Sequence, residues 1–168
     1  MAGRGRRAMG DLAEFPLSMR VFLQAYPWRR VRPTPWSPLR RPLNESRVAL
    51  VTSAGFIRPG QEPFDAGIRG GDTSFRIIPG DAVVGELIDS QRSESFDHAG
   101  MQQDPNLALP LDRLRELEAH GRIGAVAPRH LSYMGSITAP GRLVRQTAVE
   151  GAAILTQDQV DAALLVPV

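Results

Sequence analysis

A chain of 168 residues with 42% hydrophobic and 23% charged side chains is long enough for one packed domain and has a globular composition. It contains no Cys and no Lys, which excludes disulfides, thiolate metal sites, Cys nucleophiles, Schiff-base lysines and a phosphate-loop Lys within these residues. The charge is uneven: residues 1–46 carry nine Arg against Asp11, Glu14 and Glu45, a balance of +6, whereas the remainder carries eleven Arg against fifteen acids, a balance of −4.

Residues 1–26 read as a basic arm followed by a short helix. Gly and Arg dominate residues 1–10, so nothing there can pack, and disorder is expected. A basic arm suits an acidic partner, but a solvated terminus is the plainer reading, and nucleic acid is not expected as a partner. Pro16 suits a first helical turn, and Met19, Phe22, Leu23 and Tyr26 fall at i, i+3, i+4 and i+7, which predicts a helix over 16–26. No apolar run approaches the roughly 18 residues of a membrane span, and no signal-type stretch follows the basic start. A cytoplasmic protein with no membrane partner is the expectation.

Residues 27–46 form a second segment, rich in Pro and Trp. Pro27, Pro33, Pro35, Pro38 and Pro42 forbid a regular helix and favour extended chain. With Trp28 and Trp36 among them, the segment reads as a strap pinned to the domain surface by both indoles.

Residues 47–168 read as a single α/β domain, with a mostly parallel sheet and helices on both faces. Arg47–Gly55 is a buried strand of the parallel kind, ending in small residues where open α/β sheets bind ligands. A second strand is predicted at Ser74–Ile78, closed by Pro79-Gly80. Residues 85–106 are polar and read as a long loop holding Ser93, Ser95, Asp97, His98, Asp104 and Asn106. Leu111–His120 reads as a helix with Leu111, Leu114 and Leu117 inward and Gly121 as its stop. A short strand at Ile123–Ala127 follows. A helix over Gly141–Thr156 turns Leu143, Val144, Ala148, Ile154 and Leu155 to the core, and Val160–Val166 is the last strand.

His98, His120 and His130, with Asp72 and Asp104, are the residues from which a metal site would be built, but they match no tight ligand spacing, and no metal is expected. The orders G-x-G-x-x-G and G-x-x-x-x-G-K are absent, so Gly70-Gly71-Asp72 is no phosphate loop. Without G-x-S-x-G, nothing ties Ser53, His130 and Asp72 into a hydrolase triad.

The segments "ALVTSAGF", "GDTSFRIIP", "FDHAG", "DPNLALPLDRLRELEAHGRIGAVAPRHLSYMGS" and "VDAALLVPV" occur in that order from about Trp28 to Val168. Together they resemble the short, stand-alone members of the selenoprotein B family of glycine, sarcosine, betaine and D-proline reductases. The resemblance implies a selenol- or thiol-dependent oxidoreductase with a disulfide as acceptor. In that family the strand resembling "LLVPV" leads into selenocysteine or Cys, two further residues and Cys. Selenocysteine is encoded by a codon normally read as stop. A frame truncated one residue before its reactive atom is therefore expected, with the C-terminal part of the domain missing and selenium carried as selenocysteine in the full frame. No cofactor is expected within the 168 residues, which are expected to be inactive alone and to aggregate through the apolar run Leu164-Leu165-Val166.

The resemblance also implies a small-molecule substrate and a thiol reductant such as a thioredoxin-like protein. In the large reductases a pyruvoyl group on a partner subunit activates the substrate amine, and this chain does not supply one. Around the missing nucleophile the residues expected to bind substrate are Ser53, beside Thr52, with Asp72, Arg76, Asp104 and Asn106. Arg76 suits bidentate hold on a carboxylate. His98 and His130 are the candidates for general acid or anion partner. The structural alternatives are a solvated Arg76, Asp104 as a turn or cap residue before Pro105, and His130 bonded to backbone. Two positions depart from the family pattern: Gln159 stands where a Gly is expected for a left-handed turn, and Gln91 where a His is expected. The alternative functions are a non-redox module binding a small carboxylate or amine, and a metal-dependent enzyme using His98 and His130.

Overall fold

The structure, a computed structural model, describes residues 13, 15–26, 30–93 and 98–168. Two compact units divide the chain, one ending at Ser37 and the other spanning Pro38–Val168. In the first, the predicted helix is present as α1 (Leu17–Ala25), with Pro16 in extended conformation at its N-cap. Helix α1 buries none of its residues, and Leu17, Val21 and Phe22 are each more than half exposed. Trp36, of the strap segment, lies in this first unit and is 83% exposed. Trp28 and residues 1–10 lie outside the described residues.

The second unit is an α/β domain built on five strands: β1 (Arg47–Thr52), β3 (Phe75–Pro79), β5 (Ala125–Val126), β6 (Arg129–Tyr133) and β7 (Ala162–Val166). The short strands β2 (Phe56–Ile57) and β4 (Ile88–Asp89) pair separately and antiparallel. Strand β1 is central: β7 runs parallel along one edge, and β5 and β6 run parallel along the other. Strand β3 closes the far side, antiparallel to β6. Three parallel pairings against one antiparallel make this a mostly parallel sheet.

Both faces are covered. Residues opposite one another across a ladder share a face. Val48, Leu50 and Ile78 pack on one side with Leu111 and Leu114 of α3 (Leu111–Ala119) and with Leu109 and Phe56. On the other side Gly151 of α4 (Ala148–Gln157) lies so close to β6 that a Cβ there would sit 2.6 Å from the Tyr133 hydroxyl and 2.8 Å from Leu131 Cδ1. The expected inward residues of this helix need correction: Val144 and Ala148 are exposed, Leu143, Ile154 and Leu155 are half-buried, and Thr147 and Gly151 face the sheet. Leu143–Thr147 is a π-helical turn, not part of the regular helix. Leu117 of α3 is likewise 43% exposed.

The β1 edge facing β5 and β6 has a break in its ladder. Its pairing skips from Val48↔Val126 to Val51↔Leu131, so the partner chain carries two extra residues around Ala127-Pro128. Ala127 N–H donates to Val48 C=O, while Ser53 N–H donates to Val166 C=O, so even-numbered β1 residues direct their main-chain groups toward this edge. Leu50 N–H therefore points into the break, and His130 Nδ1 accepts it at 2.9 Å. The polar stretch Arg129–Tyr133 was not expected to be a strand; the break gives the His130 imidazole a main-chain donor, while the buried Ser132 hydroxyl has no hydrogen-bond partner among the described residues.

Helices α3 and α4 end alike. Past α3, Gly121 N–H reaches Glu118 C=O and Arg122 N–H reaches Leu117 C=O, with Gly121 at φ +63 as the expected stop. Past α4, Gln159 N–H reaches Thr156 C=O and Val160 N–H reaches Leu155 C=O, a Schellman motif whose left-handed residue is Gln159 at φ +56. A Cβ in that conformation is strained. Gln159→Gly is expected to raise stability by about 0.5–1 kcal/mol, read as a higher urea midpoint, whereas Gln159→Ala is expected to give no gain.

The stretch expected as a long polar loop contains a 3-10 turn at Val84–Glu86, strand β4 and helix α2 (His98–Gln103), with Met101 buried. Ser95 and Asp97 lie outside the described residues. Strand β7 is an edge with Leu164 49% and Leu165 68% exposed. No helix among the described residues is long and apolar enough to cross a membrane.

Candidate functional site at the carboxyl end of the sheet

The polar residues gather where β1, β6 and β7 end and β3 begins. Ser53 follows β1 directly; its hydroxyl donates to Val168 C=O at 3.2 Å and accepts from Val168 N–H at 3.0 Å. Thr52, 1% exposed, donates from Oγ1 to Ala108 C=O at 2.7 Å and accepts from Ala54 N–H at 3.1 Å, which turns the chain away from the strand. Thr52 stands opposite Val166, so β1 and β7 are neighbours as expected.

Gln91 joins the strand ends. Its Nε2 donates to Ser53 C=O at 3.1 Å and, in a shorter contact, to Met134 C=O, which tethers the ends of β1 and β6. Its Oε1 accepts from Arg92 N–H at 2.9 Å. Glycines permit the close approach: a Cβ on Gly55 would lie 3.0 Å from the Gln91 main-chain N, and one on Gly135 would lie 2.6 Å from Ser53 O and 3.2 Å from Gln91 Nε2. Gln91 N–H is held in turn by Asp89 Oδ1 at 2.8 Å, and Asp89 Oδ2 is in close contact with His98 Nδ1. His98 Nε2 lies 3.0 Å from Ser93 C=O. The two ring nitrogens thus lie against oxygens of the Asp89 carboxylate and the Ser93 main chain. Ser53 and His98 are brought into one network, through Gln91 and Asp89.

Asp72 and Arg76 form a second group at the start of β3, next to the end of β6, where Phe75 pairs with Tyr133. Asp72 is buried and accepts from Asp65 N–H, Ser74 N–H and Ser74 Oγ–H at 3.0, 2.8 and 2.6 Å. Burial pushes its carboxyl up, but these bonds, with the Arg76 charge, outweigh burial and hold it below the ordinary value. Arg76 donates to Glu62 C=O at 2.8 Å, Pro63 C=O at 3.0 Å and Ser74 Oγ at 2.9 Å, and lies 4.4 Å over the Phe64 ring. These bonds engage much of the fork that a substrate carboxylate would use.

Asp104 caps the turn Pro105–Leu107, accepting from Asn106 N–H at 3.0 Å. Asn106 closes a ring with Asp112, donating to its carboxylate and accepting from its N–H, each at 3.0 Å. These two residues shape the entry to α3.

His130 is not with the others. It is a buried strand residue, not a loop residue, opposite Ile78, and its Nε2 has no hydrogen-bond partner among the described residues. Burial, with the charge of Arg115, pushes its pKa down to about 4. Because Nδ1 must accept from Leu50 N–H, the neutral ring is the form that fits. Among the described residues no group of three or more His, Cys, Asp or Glu is placed to hold a metal ion.

The sequence reading missed Asp89, since a carboxylate nine residues before a His matches no ligand or catalytic spacing. Gln91 was noticed only as a departure. The one visible sign of these closely packed strand ends was the run of small residues Ser53-Ala54-Gly55.

An open α/β sheet with its polar loops at the carboxyl ends of parallel strands defines a domain of the class that binds its ligands there. The description of the glycine/sarcosine/betaine reductase selenoprotein B family matches residues 17–168, and the chain belongs to that family. It is 35% identical over 144 residues to the D-proline reductase subunit gamma of Acetoanaerobium sticklandii, covering 85% of this chain and 57% of that one. It is 30% identical over 145 residues to the sarcosine reductase complex component B subunit beta of Peptoclostridium acidaminophilum, covering 82% of this chain and 32% of the relative. The glycine reductase complex component B subunit gamma of Carboxydothermus hydrogenoformans is 25% identical over 166 residues, covering 96% of this chain and 37% of the relative. The chain therefore spans between about a third and somewhat over half of the length of these relatives. No solved structure gives a significant match.

Proposed function

We propose that this chain is part of a cytoplasmic selenol- or thiol-dependent reductase that acts on a small amino acid or amine, with a disulfide as acceptor. The observation that carries the reading is the family match over residues 17–168, whose relatives are named as reductase subunits. No Cys is among the 168 residues, and the family resemblance implies a redox group outside them, following the strand that leads to Val168. A selenol–thiol pair supplies the two electrons and two protons that break a carbon–nitrogen bond, and is itself oxidised to a bridge that a thioredoxin-like dithiol reopens. The chain's own part is positional: Gln91 ties the ends of β1 and β6 together through Ser53 C=O and Met134 C=O, and Gly55 and Gly135 permit the close approach. The Asp89–His98 pair places a proton donor on the same network. Substrate activation is expected from a partner subunit.

The test is the codon after Val168, read with about a hundred nucleotides beyond it. An opal codon followed by two sense codons and a Cys codon supports the reading. An ochre or amber codon there, or no open frame beyond it, overturns it in favour of a module that binds a small carboxylate or amine without turning it over. Thermal stabilisation of the 168-residue chain by glycine, sarcosine, betaine or D-proline would then be expected.

A further inference from the structure

We propose that Ser53 is a positioning residue for the redox group, a role that rests on the function proposed above. The ladder between β1 and β7 ends at Thr52↔Val166. Pro167 follows, and it has no N–H to continue the ladder. Ser53 takes over at this point. Its N–H donates to Val166 C=O at 3.2 Å, and its hydroxyl both accepts from Val168 N–H and donates to Val168 C=O. Among the described hydrogen bonds, those of Val168 go to Ser53 Oγ alone.

One hydroxyl therefore extends the sheet by two residues without a strand partner. It can do so because a Ser Oγ accepts and donates at once, as a main-chain unit does. Ser53 is itself fixed from the other side, where its C=O accepts from Gln91 Nε2 at 3.1 Å. The position is guarded by Gly135, where any side chain would meet Ser53 O at 2.6 Å and Ser53 Cβ at 3.3 Å. The group joined to Val168 is thus held at the carboxyl end of β1 and does not swing free on an unpaired strand end. Ser53 acts through the backbone it holds, since its single proton is already committed to Val168 C=O.

Two measurements separate this role from the proposal on which it rests. The first uses the 168-residue chain and reads amide hydrogen exchange at Val168. Ser53→Ala is expected to lose the protection, and Ser53→Thr, which keeps a hydroxyl, to retain it. Equal protection in wild type and Ser53→Ala overturns the clamp whatever follows Val168. The second uses the full reading frame with Cys as the residue after Val168, and follows its alkylation by iodoacetamide against pH. Ser53→Ala is expected to move the midpoint by about one pH unit toward that of the urea-unfolded chain, a tenfold change in thiolate fraction, and Ser53→Thr to restore it. An unchanged profile in a Ser53→Ala variant that unfolds at the wild-type temperature overturns the positioning role while leaving the reductase reading intact. A frame that encodes no thiol or selenol after Val168 overturns that reading and the positioning role with it, and amide exchange then decides the clamp alone.

Discussion

Lowering the pH from 7 to 4 is expected to cost this fold about 3 kcal/mol through His130 alone. The ring is buried within the sheet, and its pKa falls from 6.5 to about 4. Desolvation is the larger cause and the Arg115 charge the smaller. The geometry opposes protonation as well: Nδ1 accepts from Leu50 N–H, so a proton there would set two donors against each other inside the sheet. The sign follows from proton counts. Between pH 6.5 and about 4 the unfolded chain binds a proton at this His and the native chain does not. Stability is therefore full above pH 6.5 and is lost progressively as the pH falls toward the native value. Urea unfolding at pH 7, 6 and 5 should show the slope. His130→Gln keeps an acceptor for Leu50 N–H and removes the titration, so its stability should be flatter across this window. A variant that loses stability with acid as steeply as the wild type would sink the assignment to His130.

Gly135→Ala is expected to destabilise the domain by about 2–5 kcal/mol, from about 1–2 for a left-handed L-residue and about 1–3 for overpacking. Gly135 sits at φ +68, and its Cβ would lie 2.6 Å from Ser53 O and 3.2 Å from Gln91 Nε2. None of the nearest contacts is the tip of a flexible side chain free to withdraw: one is main chain and the other an amide already tied to both strand ends. Gly121 supplies the control, since it has φ +63 but nothing within 4 Å of its would-be Cβ. Gly121→Ala should carry the backbone strain alone. Equal urea midpoints for the two variants would show that the close approach at the strand ends is not a real constraint. The larger loss at Gly135 should also disturb the Ser53–Val168 bonds, because Ser53 O is the first atom the new methyl meets.

The central strand was readable because a continuous apolar run bounded by small residues suits a strand buried on both faces, and Arg47–Thr52 is that strand. Gly121 was readable as a helix stop because a left-handed residue after a helix strongly favours Gly. Gln159 was readable as an oddity for the same reason, and its φ of +56 shows where the strain lies. Asp104 before Pro105 carried its cap signature openly. By contrast, Arg129–Tyr133 has no alternation of apolar and polar residues that marks a strand, and Leu117 fits the helical period yet is exposed.

By itself the sequence determined the fold class, the order of its main elements, and a family resemblance borne by several separated segments. These are local or ordered properties of the chain: period, turn chemistry and motif order need no knowledge of what lies across the sheet. Only the tertiary structure decided which polar residues meet. Ser53 and Gln91 are joined across strand ends, His130 fills a ladder break made by two extra residues on the neighbouring strand, and Asp89 meets His98. Each of these contacts depends on register and on where the backbone breaks its pairing, and the long-range pairing that sets register leaves no mark in the spacing of the residues themselves.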